Sequence, residues 1–173
     1  MKIKAGDIIK VSRKNKKNYQ YGLYIGQEEV IYYLETLEIK GKVIKTTLED
    51  FRKKNGIIEV VDFPATREGR STVVKSEEFM KKKNLISKGT WPEWFISQFD
   101  EYVLSTIWDT IQRAKSRLDK IEEPVFNNGE HFVWWCKVEL KRKDKKDGKL
   151  DEFFKPSTPL ARFPLSKKPS SVK

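Results

Sequence analysis

No apolar run in this chain is longer than five residues, the extremes being Val30–Leu34 and Phe132–Cys136. A helix that crosses a bilayer needs about 20. No spanning helix is therefore expected, and apolar surface has to be gathered from short elements. Short runs rich in β-branched and aromatic residues suit strands. Asp7–Ser12 (DIIKVS) is the first strand candidate, followed by the cationic loop Arg13–Asn18. Gln20–Ile25 (QYGLYI) and Glu29–Leu34 (EVIYYL), separated by Gly26-Gln27-Glu28, predict an antiparallel hairpin. Lys42–Thr46 and Ile57–Phe63 predict further strands. Between them, Leu48–Lys54 predicts one or two helical turns with Thr47 as N-cap and Asp50 three residues on.

The middle of the chain changes character. Ser76-Glu77-Glu78 opens a helix candidate running to about Ile86, and Gly89–Glu93 opens another reaching to about Val103. Within it, Trp91, Trp94, Phe95 and Phe99 form an amphipathic stripe, a normal core face that would also suit a lipid or partner groove. Apolar residues at 104, 107, 108, 111, 114 and 118 fall on one face of a helix over Leu104–Leu118. Asn127, with Glu130 three residues on, is a capping-box arrangement that predicts a further helix start. From Lys141 the patterning stops. KRKDKKDGK carries six positive and two negative charges, and Lys155–Lys173 has five Lys/Arg, four prolines and no acid. Such a composition buries too little apolar area to offset chain entropy, so 141–173 is expected to be a mobile basic tail.

At 173 residues, the length fits one domain with a tail. The 36 Lys and Arg against 25 Asp and Glu give a net charge of +11, so an anionic partner is expected. Aromatic residues make up 12%, too many for a wholly disordered chain. The single cysteine, Cys136, has no partner for an internal disulfide, and with the single histidine, His131, it cannot supply a four-ligand zinc site without several carboxylates. No metal or cofactor is expected. With no apolar leader, the chain reads as a soluble intracellular protein, cytoplasmic and peripheral to membranes.

Three separated motifs carry a family resemblance. Ala5-Gly6-Asp7-Ile8-Ile9, Gln20-Tyr21-Gly22-Leu23-Tyr24-Ile25-Gly26 and Asn128-Gly129-Glu130-His131-Phe132-Val133 match, in order, the lecithin:retinol acyltransferase-like (LRAT-like, H-box/NC) domain. The resemblance covers roughly residues 5–140. It implies an α+β fold, with an antiparallel sheet packed against helices in a rearranged papain-like arrangement. The domain is expected over 3–140, with about 66–103 as an insertion. It also implies thiol acyl transfer, with two histidines on the sheet and a cysteine at the start of a helix. Acyl transfer through a thiol needs a thiolate, a base to make it and a group to orient that base. A helix N-terminus stabilises the thiolate, and an imidazole titrates near the working pH.

The resemblance places the first histidine at Gln20, the second at Tyr32 and the cysteine at Gly129. All three differ, and none of the replacements can perform the lost role. The chain reads as a pseudoenzyme with no catalytic residue. His131 and Cys136 are the only groups available for rescue. They stand about 140° apart around one helix, which makes no dyad, and both are expected to pack in the core, as are Trp134 and Trp135. The expected function is a non-catalytic binding or regulatory module, acting at an anionic lipid surface or on a protein partner. Arg13, Lys14, Lys16, Lys17, Lys141, Arg142, Lys143, Lys145 and Lys146 are the candidate contacts. The competing readings are an active thiol-type phospholipid acyltransferase or phospholipase with relocated residues, and a nucleic-acid-binding protein whose cations contact phosphates.

Overall fold

The strands Ile8–Ser12 (β1), Tyr19–Gly26 (β2), Glu29–Leu34 (β3), Lys42–Thr47 (β4) and Ile58–Val60 (β5) form an antiparallel sheet in the order β4-β3-β2-β1-β5. The computed structural model describes residues 2–12, 19–34, 41–63, 70, 72–75, 101–120, 126 and 128–140. A second antiparallel sheet, order β6-β7-β8, is made of Thr72–Lys75 (β6), Glu101–Leu104 (β7) and Val138–Leu140 (β8). Three helices complete the described fold: Leu48–Arg52 (α1), Ile107–Lys115 (α2) and Gly129–Lys137 (α3). The architecture is α+β, as expected.

The five-stranded sheet is covered on both faces. Ile8, Tyr21, Leu23, Ile31 and Tyr33 belong to the cluster that contains Phe132, Trp135 and Cys136 of α3. Ile9, Val11, Tyr24 and Val30 point the other way, into a smaller cluster around Phe51 of α1. Double burial explains why β1 and β3 read as near-continuous apolar runs. Gly22 is required by the second layer: a Cβ there would lie 2.6 Å from Val30 Cγ1 and 2.8 Å from Phe51 Cζ.

The hairpin forms as predicted, with Gly22 opposite Tyr32 and an irregularity between Tyr24 and Gly26. Its turn residues Gln27 and Glu28 both have positive φ, 51° and 58°, the pattern of a type I′ turn built without the usual glycine. Thr47 caps α1 as expected: its hydroxyl accepts from Asp50 N at 3.1 Å and donates to Asp50 Oδ2 at 2.9 Å. The strand expected over Ile57–Phe63 is shorter, spanning Ile58–Val60, where it pairs with β1.

Two helix expectations are corrected. Glu101–Leu104 is a strand, not the end of the helix expected from Gly89, and Leu104 therefore does not begin α2. Thr106 sets the helix start by accepting from Asp109 N at 3.1 Å and donating to Asp109 Oδ2 at 2.8 Å. This local cap outweighs the apolar periodicity. The buried face is consequently rotated: Thr110 and Ala114 are fully buried, whereas Trp108, assigned to the core stripe, is 70% exposed. Two small residues in the buried stripe let α2 approach α3 closely. The helix candidates at 76–86 and 89–100 lie outside the described residues. So does the basic tail 141–173, and so does most of the segment 66–103.

Helix α3 starts where expected, with one adjustment. Its N-cap is Asn128, whose side chain accepts from His131 N at 2.8 Å, so the Asn127–Glu130 box is not the capping pair. Residues 131–136 are all buried. A helix buried all round is a central element, and α3 lies between β2 and β3 on one side and α2 on the other. It runs directly into β8, joining the two sheets.

Candidate functional site

Gly129, the first residue of α3, lies against the open end of the hairpin, away from its turn. A Cβ at this position would sit 3.6 Å from Tyr21 O, 3.8 Å from Tyr21 N and 3.7 Å from Tyr33 O. These are ordinary contact distances, so the space admits a side chain at its root. Tyr21 is bonded to Gln20 and Tyr33 to Tyr32, so the backbones of all three family positions converge here.

Their side chains do not. Successive strand residues face opposite ways. Gln20 stands opposite Val11, and Tyr32 opposite Gly22, both on the Phe51 side. The Tyr32 ring meets that of Phe51 edge to face, with centroids 5.3 Å apart. Tyr21 and Tyr33 belong to the α3 side. The side chains facing the helix start are therefore those of Tyr21 and Tyr33, one residue beyond each position carried over from the family.

The α3 side holds a row of polar groups that the motif reading did not single out. Lys10 stands opposite both Tyr21 and Glu59, so all three share this face. Lys10 Nζ lies 3.5 Å from Glu59 Oε2 and 4.5 Å from the centroid of the Tyr19 ring. Tyr21 interacts electrostatically with Glu130 of α3. Burial, followed by the Glu130 charge, pushes its phenol far above the usual range. Tyr21 thus remains neutral beside the carboxylate. The available signal was strand alternation from Lys10, which places residues two apart on one face.

His131 and Cys136 are both fully buried. The imidazole meets the Phe126 ring edge to face at 5.5 Å. Burial holds its pKa down at about 3, so it is neutral throughout the physiological range and a poor proton acceptor. Burial pushes the Cys136 thiol far up, against the opposing influence of Arg113 on α2 and Arg117 just beyond its end. Arg113 Nη1 donates to Trp135 O at 3.2 Å, and the Arg117 guanidinium lies 5.5 Å from the Trp135 ring centroid. Neither sulfur nor imidazole is set up for thiol chemistry, which needs an accessible thiolate beside a base. Trp134 and Trp135 are core residues, as expected.

Among the described residues, no group of three His, Cys, Asp or Glu side chains is placed to hold a metal ion. No described helix is long and apolar enough to cross a membrane. The candidate partner contacts Arg13, Lys14, Lys16, Lys17, Lys141, Arg142, Lys143, Lys145 and Lys146 lie outside the described residues.

An antiparallel sheet with the start of a buried helix seated on its central hairpin defines an α+β domain of the acyltransferase-like type. The sequence profile of the lecithin retinol acyltransferase family matches residues 1–142, and the chain belongs to that family. No curated protein matches it.

Proposed function

We propose that this chain is a non-catalytic member of the lecithin retinol acyltransferase family that works as a binding module at anionic lipid surfaces. The observation that carries the reading is the helix start itself. Position 129, where the family resemblance implies a nucleophile, is glycine, and the side chains facing it are two tyrosines. A phenol with a raised pKa is a poor general base at neutral pH. What the fold retains is scaffold: the cap, the hairpin, and a helix locked between sheet and α2.

The binding half of the proposal rests on charge. A net charge of +11 with cationic stretches at 13–17 and 141–146 favours anionic surfaces. Near an anionic membrane each basic residue contributes about 1 kcal/mol, so several suffice for weak attachment. Two experiments test the reading. After incubation with phospholipid, the intact mass of the protein is expected to be unchanged. An acyl adduct on Cys136, or lipid turnover abolished by His131→Ala, would establish a relocated active site instead. Titration with anionic and neutral vesicles, and with RNA and DNA at two matched salt concentrations, is expected to favour anionic vesicles. Tighter nucleic-acid binding would favour the competing function.

A further inference from the structure

Only three large apolar side chains among the described residues are strongly exposed: Ile57, Ile107 and Trp108. Two of them are consecutive. Ile107 is 42% and Trp108 70% exposed, and together they form the first turn of α2.

This turn is held rigidly. Thr106 and Asp109 cap it through their reciprocal hydrogen bonds. On the other side, Ile107 rests on Gly6, where a Cβ would come within 3.2 Å of Ile107 Cγ2. Gly6 has φ 87°, a left-handed conformation natural to glycine. It is pinned in turn, with its N–H donating to Tyr24 O at 2.8 Å and its carbonyl accepting from Lys137 Nζ at 2.7 Å. Trp108 therefore projects from a fixed base.

The surroundings favour an anionic bilayer as the occupant. Exposed Lys2 and Lys4 lie on the loop that carries Gly6, and exposed Lys115 lies two turns along α2 on the Trp108 side. Two carboxylates lie nearby, Asp7, whose Oδ2 accepts from Lys4 N at 2.7 Å, and Asp109, which takes the Thr106 hydroxyl; the three lysines outnumber them. Two apolar side chains are far short of the area of about 1,000 Å² that a specific protein interface needs. One amphipathic indole with lysines around it matches the headgroup layer, where tryptophan rings settle and basic residues add attraction.

We infer that the Ile107–Trp108 turn is the element by which this protein inserts into anionic lipid surfaces. The inference rests on the lipid-binding reading above and names its contact point.

The test uses the full chain and sedimentation with phosphatidylcholine vesicles, with and without 30% phosphatidylserine. Wild type is expected to bind the anionic vesicles, and brominated lipid is expected to quench its tryptophan fluorescence. Removing the indole with Trp108→Ala should weaken binding by about tenfold or more. Trp108→Phe should keep most of the binding while losing the quench, and Ile57→Ala should bind as wild type. All three variants should melt with wild type, because these side chains face solvent. Wild-type affinity in Trp108→Ala, or an equal loss in Ile57→Ala, would overturn the inference and leave the lipid-binding reading standing. A wild-type protein that ignores anionic vesicles would overturn both.

Discussion

The contact between Tyr21 and Glu130 at the start of α3 makes a quantitative prediction. Tyr21→Phe removes one oxygen from a buried ring and leaves the ring's packing against α3 in place. What is lost is the polar interaction of the phenol with Glu130. A hydrogen bond to a charged partner is worth about 1.5–3 kcal/mol. Glu130 is half-buried, so solvent screening puts the expected loss in the lower part of that range, at about 1.5–2 kcal/mol. In a chain of this size that is roughly 3–8 °C in Tm. Urea unfolding at pH 7, followed by circular dichroism, reads it directly. The double-mutant cycle with Glu130→Gln should show a coupling of at least about 0.5 kcal/mol. Tyr24→Phe is the control. Its hydroxyl donates to the Glu28 carboxylate at a long 3.4 Å and accepts from the Glu28 N–H at 3.3 Å. The change should stay within about 0.5 kcal/mol. If Tyr21→Phe is neutral, or additive with Glu130→Gln, the Tyr21–Glu130 interaction does not hold α3 to the sheet and the structural role assigned to this site fails.

Three further outcomes are expected. Gly22→Ala should destabilise by about 1–3 kcal/mol through overpacking, and the added Phe51→Leu should recover part of the loss in the same urea assay. His131 is neutral in the fold at about pKa 3, while in the unfolded chain it titrates near 6.5. Between those values only the unfolded chain takes the proton, so stability should fall as pH drops below about 6.5, by up to about 1.4 kcal/mol per pH unit. Urea midpoints at pH 7, 6 and 5 should show this fall, and His131→Leu should make it shallower. Cys136, fully buried with its thiol pushed far up, should react with an aromatic disulfide reagent only at the rate of unfolding.

The elements that sequence reasoning recovered are those with local chemistry. The hairpin, the Thr47 cap and the start of α3 each depend on a few neighbouring residues, and each was legible to within a residue. Two adjacent asparagines blurred the last of these, because either can cap. What escaped was facing. Since both sides of the sheet are buried, β2 and β3 carry no polar–apolar alternation to say which side chains meet α3. The resemblance marks Gln20 and Tyr32 as the family positions, but only the fold shows that Tyr21 and Tyr33 are the residues facing α3. Helix α2 was misread for a related reason. Leu104, an apolar residue at the end of β7, happens to continue the helical period backwards. The small residues Thr110 and Ala114, which decide its buried face, give almost no hydrophobic signal.

The seating of α3 on the hairpin also imposes a schedule on synthesis. Gly129 meets Tyr21 and Tyr33 from about a hundred residues further along the chain. At about 5–20 residues per second, the hairpin waits on the order of 5–20 s for that helix to be made. During this interval Leu23 and Ile31, side chains fully covered in the finished domain, lack the element that shields them. A newborn chain of this protein should therefore be a good client for holding chaperones, and translational pauses before residue 137 should raise its tendency to aggregate. The wait for synthesis, more than weak final contacts, is where this fold is vulnerable.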